Sequence, residues 1–109
     1  MFIRVRNDRL INFDAVIQLE IKRDINEDYC GLFGRTAKEN EGRRITIIRF
    51  GYQDGIDIQT AYQICEKILD AISVRAKSNI GIIDMRPNIK NILKQYVPEM
   101  TNIDKKFCL

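Results

Sequence analysis

A chain of 109 residues has the length of one domain and buries about two-thirds of its unfolded surface, so a core needs neither metal nor disulfide. Its 18 Lys and Arg against 15 Asp and Glu leave a formal charge of +3, too small to imply a polyanion partner unless the basic residues cluster. Histidine and tryptophan are both absent, which removes the commonest general base and the commonest neutral metal ligand.

Three cysteines, Cys30, Cys65 and Cys108, are odd in number and widely spaced, which reads as free thiols in a reducing, cytoplasmic compartment. The opening MFIRVRND interrupts its apolar residues with charges. No signal-peptide core is therefore expected, and no run in the chain approaches the ~18 apolar residues of a membrane span. A soluble protein with no membrane association is expected, as a single domain over residues 1–109.

Met1 to Arg6 alternates, with Met1, Ile3 and Val5 on one side and Phe2, Arg4 and Arg6 on the other, as a half-buried strand does. Asn7 and Asp8 mark a turn, and Leu10 to Phe13 is a short apolar stretch. Val16 to Arg23 reads as the clearest strand, because Ile17, Leu19 and Ile21 alternate with Gln18, Glu20 and Lys22. Asp24 to Asp28 is a polar turn, followed by a strand over Tyr29 to Thr36 that Gly31 and Gly34 weaken. Ala37 to Arg43 has one alanine as its only apolar anchor and is predicted to be a mobile loop. Arg44 to Tyr52 is rich in β-branched and aromatic residues, and Asp54-Gly55 suits a tight hairpin that returns along Ile56 to Ile58.

Thr60 to Ser78 then carries the strongest periodicity. At about 100° per residue, Ala61, Tyr62, Ile64, Cys65, Ile68, Leu69, Ala71, Ile72 and Ala76 share one face, while Gln63, Glu66, Lys67, Asp70 and Lys77 share the other. Thr60 and Gln63 have capping-box spacing. Ser78 and Asn79 break the pattern, and Ile80 to Met85 is a further strand. Pro87 suits the first turn of a second helix on which Ile89, Ile92, Leu93, Tyr96 and Val97 form an apolar stripe, stopped by Pro98. Glu99 to Leu109 is a tail, expected to be partly docked and otherwise flexible. The order implies an α+β fold, an antiparallel meander of about five to seven strands packed by one long amphipathic helix, then a short strand and a short helix.

The segments LINFDAVIQLEIKR, RITIIRFGYQDGIDI and TAYQICEKILDAI, between Leu10 and Ile72, resemble in layout the second half of bacterial pleckstrin-homology-like domains. That resemblance implies an open barrel plugged by the helix and a binding role toward peptides, proteins or anionic head groups. The opening MFIRVRNDRLINFDAV also looks like the start of small bacterial proteins in which strand, turn and strand precede an N-x-D-x-V/I step.

No motif carries a mechanism. Asp24, Glu27 and Asp28 lack the ligand spacing and central glycine of a calcium loop, so the turn reading stands. Gly31 and Gly34 have G-x-x-G spacing without the flanking helices of a nucleic-acid clamp, and read as strand glycines at a twist or bulge. Cys30 and Cys65 have no histidine to activate them, Cys65 lies on the apolar helix face, and Cys108 is the thiol expected to be exposed. No metal, cofactor or catalytic residue is expected.

The basic residues offer more. Arg4 and Arg6 project beside Phe2, Arg43 and Arg44 border the predicted loop, and Arg49 stands between Ile48 and Phe50. Arginines interleaved with aromatics on a sheet face form single-stranded nucleic-acid platforms, although a solvated outer face has the same composition. The expected function is a non-catalytic protein-interaction module that receives a partner segment, or its own copy, at a sheet edge or a groove between sheet and helix. The alternative is a nucleic-acid-binding protein using Arg4, Arg6, Arg43, Arg44 and Arg49. A small hydrolase or transferase working without histidine is the third reading.

Overall fold

The structure, a computed structural model, describes residues 1–36, 44–77 and 81–109. Among these the chain runs β1 (Phe2–Arg6), β2 (Arg9–Asn12), β3 (Val16–Asp24), β4 (Tyr29–Thr36), β5 (Arg44–Gly51), α1 (Ile58–Ala76), β6 (Ile82–Asp84), α2 (Arg86–Tyr96) and α3 (Ile103–Lys106). The architecture is α+β. The predicted mobile loop Ala37 to Arg43 lies outside the described residues, as do Ser78, Asn79 and Ile80.

The strands do not form one meander and do not close into a barrel. They divide into two three-stranded sheets, β2-β1-β6 and β3-β4-β5. The split follows from β6, which pairs parallel to β1 with Ile3 opposite Ile83, so the first and last strands of the chain make their own sheet. Ile3, Val5, Ile11 and Ile83 turn inward from it, and Leu32, Ile47 and Phe50 turn inward from the other, so one continuous core joins both sheets to the helices.

The long helix presents the predicted face. Ala61, Ile64, Cys65, Ile68 and Ile72 are buried, whereas Gln63, Glu66, Lys67, Asp70 and Lys77 are exposed. α1 lies on β4 with β3 and β5 to either side, and α2, with Pro87 in its first turn and Ile89 and Leu93 buried, packs against both α1 and β1. The tail is docked through α3, and Ile103 and Phe107 join the core.

Two local expectations are corrected. Ile56 to Ile58 is not a strand: Gly55 adopts positive φ, but after a 3₁₀ turn over Tyr52–Asp54, and the chain runs from there straight into α1. An Ile-Asp-Ile alternation three residues long is compatible with either period. Correspondingly, the cap is Asp57 rather than Thr60. Its carboxylate accepts the Thr60 N–H at 2.8 Å and the Thr60 hydroxyl at 3.0 Å, starting the helix earlier than the Thr60–Gln63 pair would.

Candidate binding groove between the two sheets

Arg44 and Arg49 are five residues apart, so in an uninterrupted strand they would face opposite sides of the sheet. A β-bulge changes that parity. Leu32 of β4 pairs with Ile48 and its neighbour Phe33 pairs with Thr46, leaving Ile47 unmatched, and both arginines reach the face turned away from α1. There the Arg44 guanidinium lies 4.8 Å from the Phe33 ring centroid and that of Arg49 lies 5.1 Å from the Tyr29 centroid. The Phe33 ring folds over Gly31, where an added Cβ would stand 2.8 Å from ring carbons. Glycine there lets the ring lie flat, and with Arg44 above it Phe33 is only 5% exposed.

The first hairpin places two further cations opposite each other. A bulge at Val5 lets Arg6 pair with Arg9 across the Asn7-Asp8 turn. Arg6 is held by the Asp8 carboxylate at 3.2 Å, and Arg4 donates to the Asn7 carbonyl at 2.9 Å. The Arg9 side chain has no ion-pair, hydrogen-bond or ring partner among the described residues.

Between this hairpin and β5 lies a groove of about 420 Å³. One wall is the β5 segment Thr46–Arg49, whose strand, among the described residues, pairs with β4 alone. The other carries Arg6 and Arg9, and Phe107 and Lys106 of the tail close one end. The tail is fixed there by the Asn7 N–H, which donates to the Cys108 carbonyl at 2.6 Å, and by the edge-on packing of Phe107 on Phe50, centroids 5.3 Å apart. Asp54 is the one acidic residue among the described residues of the lining, and its Oδ2 accepts the Gly51 N–H at 3.0 Å while its carbonyl accepts from Lys106 Nζ at 3.1 Å. On its far side Arg49 borders a smaller cleft of about 210 Å³ that Glu27 and Asp28 help line. A larger depression of about 580 Å³ around Tyr96 to Thr101 has one cation, Lys106, against Asp54 and Glu99, and so lacks the charge bias of the groove.

The predicted basic surface is thus divided. Arg6 and Arg49 converge on the groove, Arg4 serves the hairpin turn, Arg44 covers Phe33, and Arg43 lies outside the described residues. Sequence reasoning missed Arg9 and Lys106. The run Arg6-Asn7-Asp8-Arg9 held the signal for the first, because residues flanking a two-residue turn become cross-strand partners. Lys106 arrives only through docking of the tail.

The other candidate sites are structural. Asp24 Oδ1 accepts the Glu27 N–H at 3.0 Å, closing the acidic turn on itself. Cys65 Sγ–H donates to the Cys30 carbonyl at 3.8 Å, and both thiols are fully buried. The contact with Cys30, together with burial, pushes the Cys65 thiol far above its usual range. Among the described residues no three His, Cys, Asp or Glu side chains group as a metal site, and no helix is long and apolar enough to cross a membrane. No protein-family model, curated protein or solved structure matches the chain.

Proposed function

We propose that this chain is a non-catalytic, cytoplasmic protein-interaction module in which the groove beside β5 receives an extended segment of a partner protein. The observation that supports this reading is the single-sided pairing of β5: one edge is laddered to β4, and the bulged Thr46–Arg49 segment borders an open cleft. A strand edge in a cleft offers backbone donors and acceptors for strand addition, with neighbouring side chains to select the partner. The layout resemblance of Leu10 to Ile72 to pleckstrin-homology-like domains favours binding over catalysis in the same way.

The test is site-specific photocrosslinking in the source cell, with a photoreactive phenylalanine analogue at Gln53, an exposed groove residue. A discrete protein adduct that survives nuclease and is absent when the probe replaces Lys67, on the solvent face of α1, is the expected result. Adducts that vanish with nuclease would favour the second reading, a nucleic-acid surface. That reading has its own observation, two exposed arginines, Arg44 and Arg49, on one sheet face.

A further inference from the structure

The described residues that line the groove carry a positive charge that their ion pairs do not cancel. Arg6 and Arg9 are held directly opposite each other, an arrangement that is destabilising for like charges unless an anion lies between or beside them. Asp8 answers Arg6, but Arg9 and Arg49 have no carboxylate partner among the described residues, and Lys106 reaches only a backbone carbonyl. Among the described residues of the lining, four cations therefore meet one carboxylate, Asp54, which already accepts a backbone N–H, while Asp8 answers Arg6 from outside it. Beneath them the lining is apolar, made by Ile47, Ile48 and Phe107.

We propose that the groove's occupant is an extended acidic protein segment, laid along the β5 edge with Asp or Glu side chains at Arg6, Arg9 and Arg49. The proposal rests on the interaction reading above and names the chemistry of its partner. At about 3.3 Å per residue the four residues Thr46–Arg49 offer roughly 13 Å of edge, room for four or five residues of an added strand. Alternate side chains of such a strand point to opposite sides. One set meets the arginines of the rim and the other meets the apolar floor, and guanidinium forks suit carboxylates because two parallel N–H bonds fit one carboxylate. A single-stranded nucleic acid would satisfy the same charges but needs rings on which to stack. Phe107, the one aromatic residue among the described residues of the lining, is 8% exposed and its ring is already engaged by Phe50.

The experiment is an amide NMR titration of the full chain with three probes: an alternating Thr-Glu octapeptide, its Thr-Gln isostere and an oligothymidine of the same length. The acidic peptide is expected to shift the amides of Thr46 to Arg49 saturably, with affinity that falls as salt rises. The Gln peptide should bind at least about tenfold more weakly, as should the Glu peptide to Arg9→Glu/Arg49→Glu, both exposed or half-buried positions whose replacement leaves the core intact. Lys106→Glu supplies an independent second variant. Equal binding of the Glu and Gln peptides would overturn the acidic partner while leaving strand addition standing. Shifts from oligothymidine alone would overturn both. If no probe moves the β5 amides at millimolar concentration, the acidic-segment proposal fails, and the crosslinks at Gln53 separately decide whether the groove holds a protein. Concentration-dependent shifts at Asp24 to Asp28 without any probe would identify a second copy, inserting its own acidic turn, and would also overturn it.

Discussion

The guanidinium of Arg44 lies 4.8 Å above the ring of Phe33, and that ring in turn lies over Gly31. An arginine, an aromatic ring and a bare backbone position thus form one stack on the outer sheet face. Gly31→Ala is expected to force the ring outward, since its Cβ would stand 2.8 Å from the ring and 3.2 Å from the Cβ of Arg49. The cost should be about 1–3 kcal/mol, the usual range for overpacking. Urea unfolding monitored by circular dichroism measures it, and an unchanged midpoint would show that the ring moves freely.

The core prediction concerns two adjacent residues of α1. Ile68 is fully buried and Lys67 is exposed. Ile68→Asp places a carboxylate with no partner in an apolar core and is expected to cost several kcal/mol, a large share of a domain stability of roughly 5–15 kcal/mol. Lys67→Ala should stay within about 0.5 kcal/mol. Coincident thermal melts of the two variants would contradict the packing of α1.

Much of this arrangement was legible in the sequence, and the parts that were not have specific causes. The faces of β1, α1 and α2 follow from periodicity, because each buries one side against a continuous core. The bulges at Val5, Ile17 and Ile47 were invisible, since an inserted residue leaves the composition of a strand unchanged while reversing its parity. Ile17 shows the consequence: grouped with Leu19 and Ile21 by alternation, it is unmatched in the β3–β4 register and 68% exposed, whereas those two are half-buried. The division into two sheets depends on pairing residues 2–4 with residues 82–84, a relation no local pattern carries. The groove inherits both difficulties. Arg9 stands opposite Arg6 beside a bulge at Val5, and Lys106 lies nearby because a tail of few apolar residues found two places in the core.

Stability should respond to acid through the α1 cap. The Thr60 backbone N–H, followed by the Thr60 hydroxyl, holds the Asp57 carboxyl below its usual range, and the paired Arg86 side chain does the same for Asp84. A depressed folded-state pKa means the contribution is fully present above the unfolded value, about 3.9, and is lost as pH falls through the folded one. Asp57→Ala is expected to cost about 1 kcal/mol near neutral pH. Its deficit relative to the parent chain should stay constant down to about pH 4.5 and shrink below that. Chemical denaturation across this range checks the sign, and a deficit that grows on acidification would refute it.

Thiol reactivity should divide the cysteines by burial. Cys108 is partly exposed near the end of the chain, whereas Cys30 and Cys65 are sealed between β4 and α1. Under native conditions an aromatic disulfide reagent is expected to label one thiol per chain promptly. The other two should react only at the rate of unfolding. Mass spectrometry of the labelled peptides identifies the order, and early labelling of Cys65 would mean that α1 opens locally without global unfolding.

The last prediction separates the two leading functions by what the arginines already do. Arg4 is engaged with the Asn7 carbonyl, Arg6 with Asp8, and Arg44 and Arg49 with aromatic rings that a nucleic-acid platform would need bare. Single-stranded RNA or DNA is therefore expected to bind with no more than non-specific affinity, on the order of 10⁻⁴ to 10⁻⁶ M at physiological salt. Fluorescence anisotropy with labelled oligonucleotides at two salt concentrations measures this. Arg4→Ala/Arg6→Ala and Arg44→Ala/Arg49→Ala serve as the two variants, one for each sheet. Because phosphate contacts release condensed counterions, a true interface would show a steep salt slope that each removed contact makes shallower. Submicromolar binding at physiological salt, lost in Arg44→Ala/Arg49→Ala but kept in Arg4→Ala/Arg6→Ala, would require the Arg44 and Arg49 side chains to leave Phe33 and Tyr29. It would move the functional surface from the groove to the outer face of β3-β4-β5.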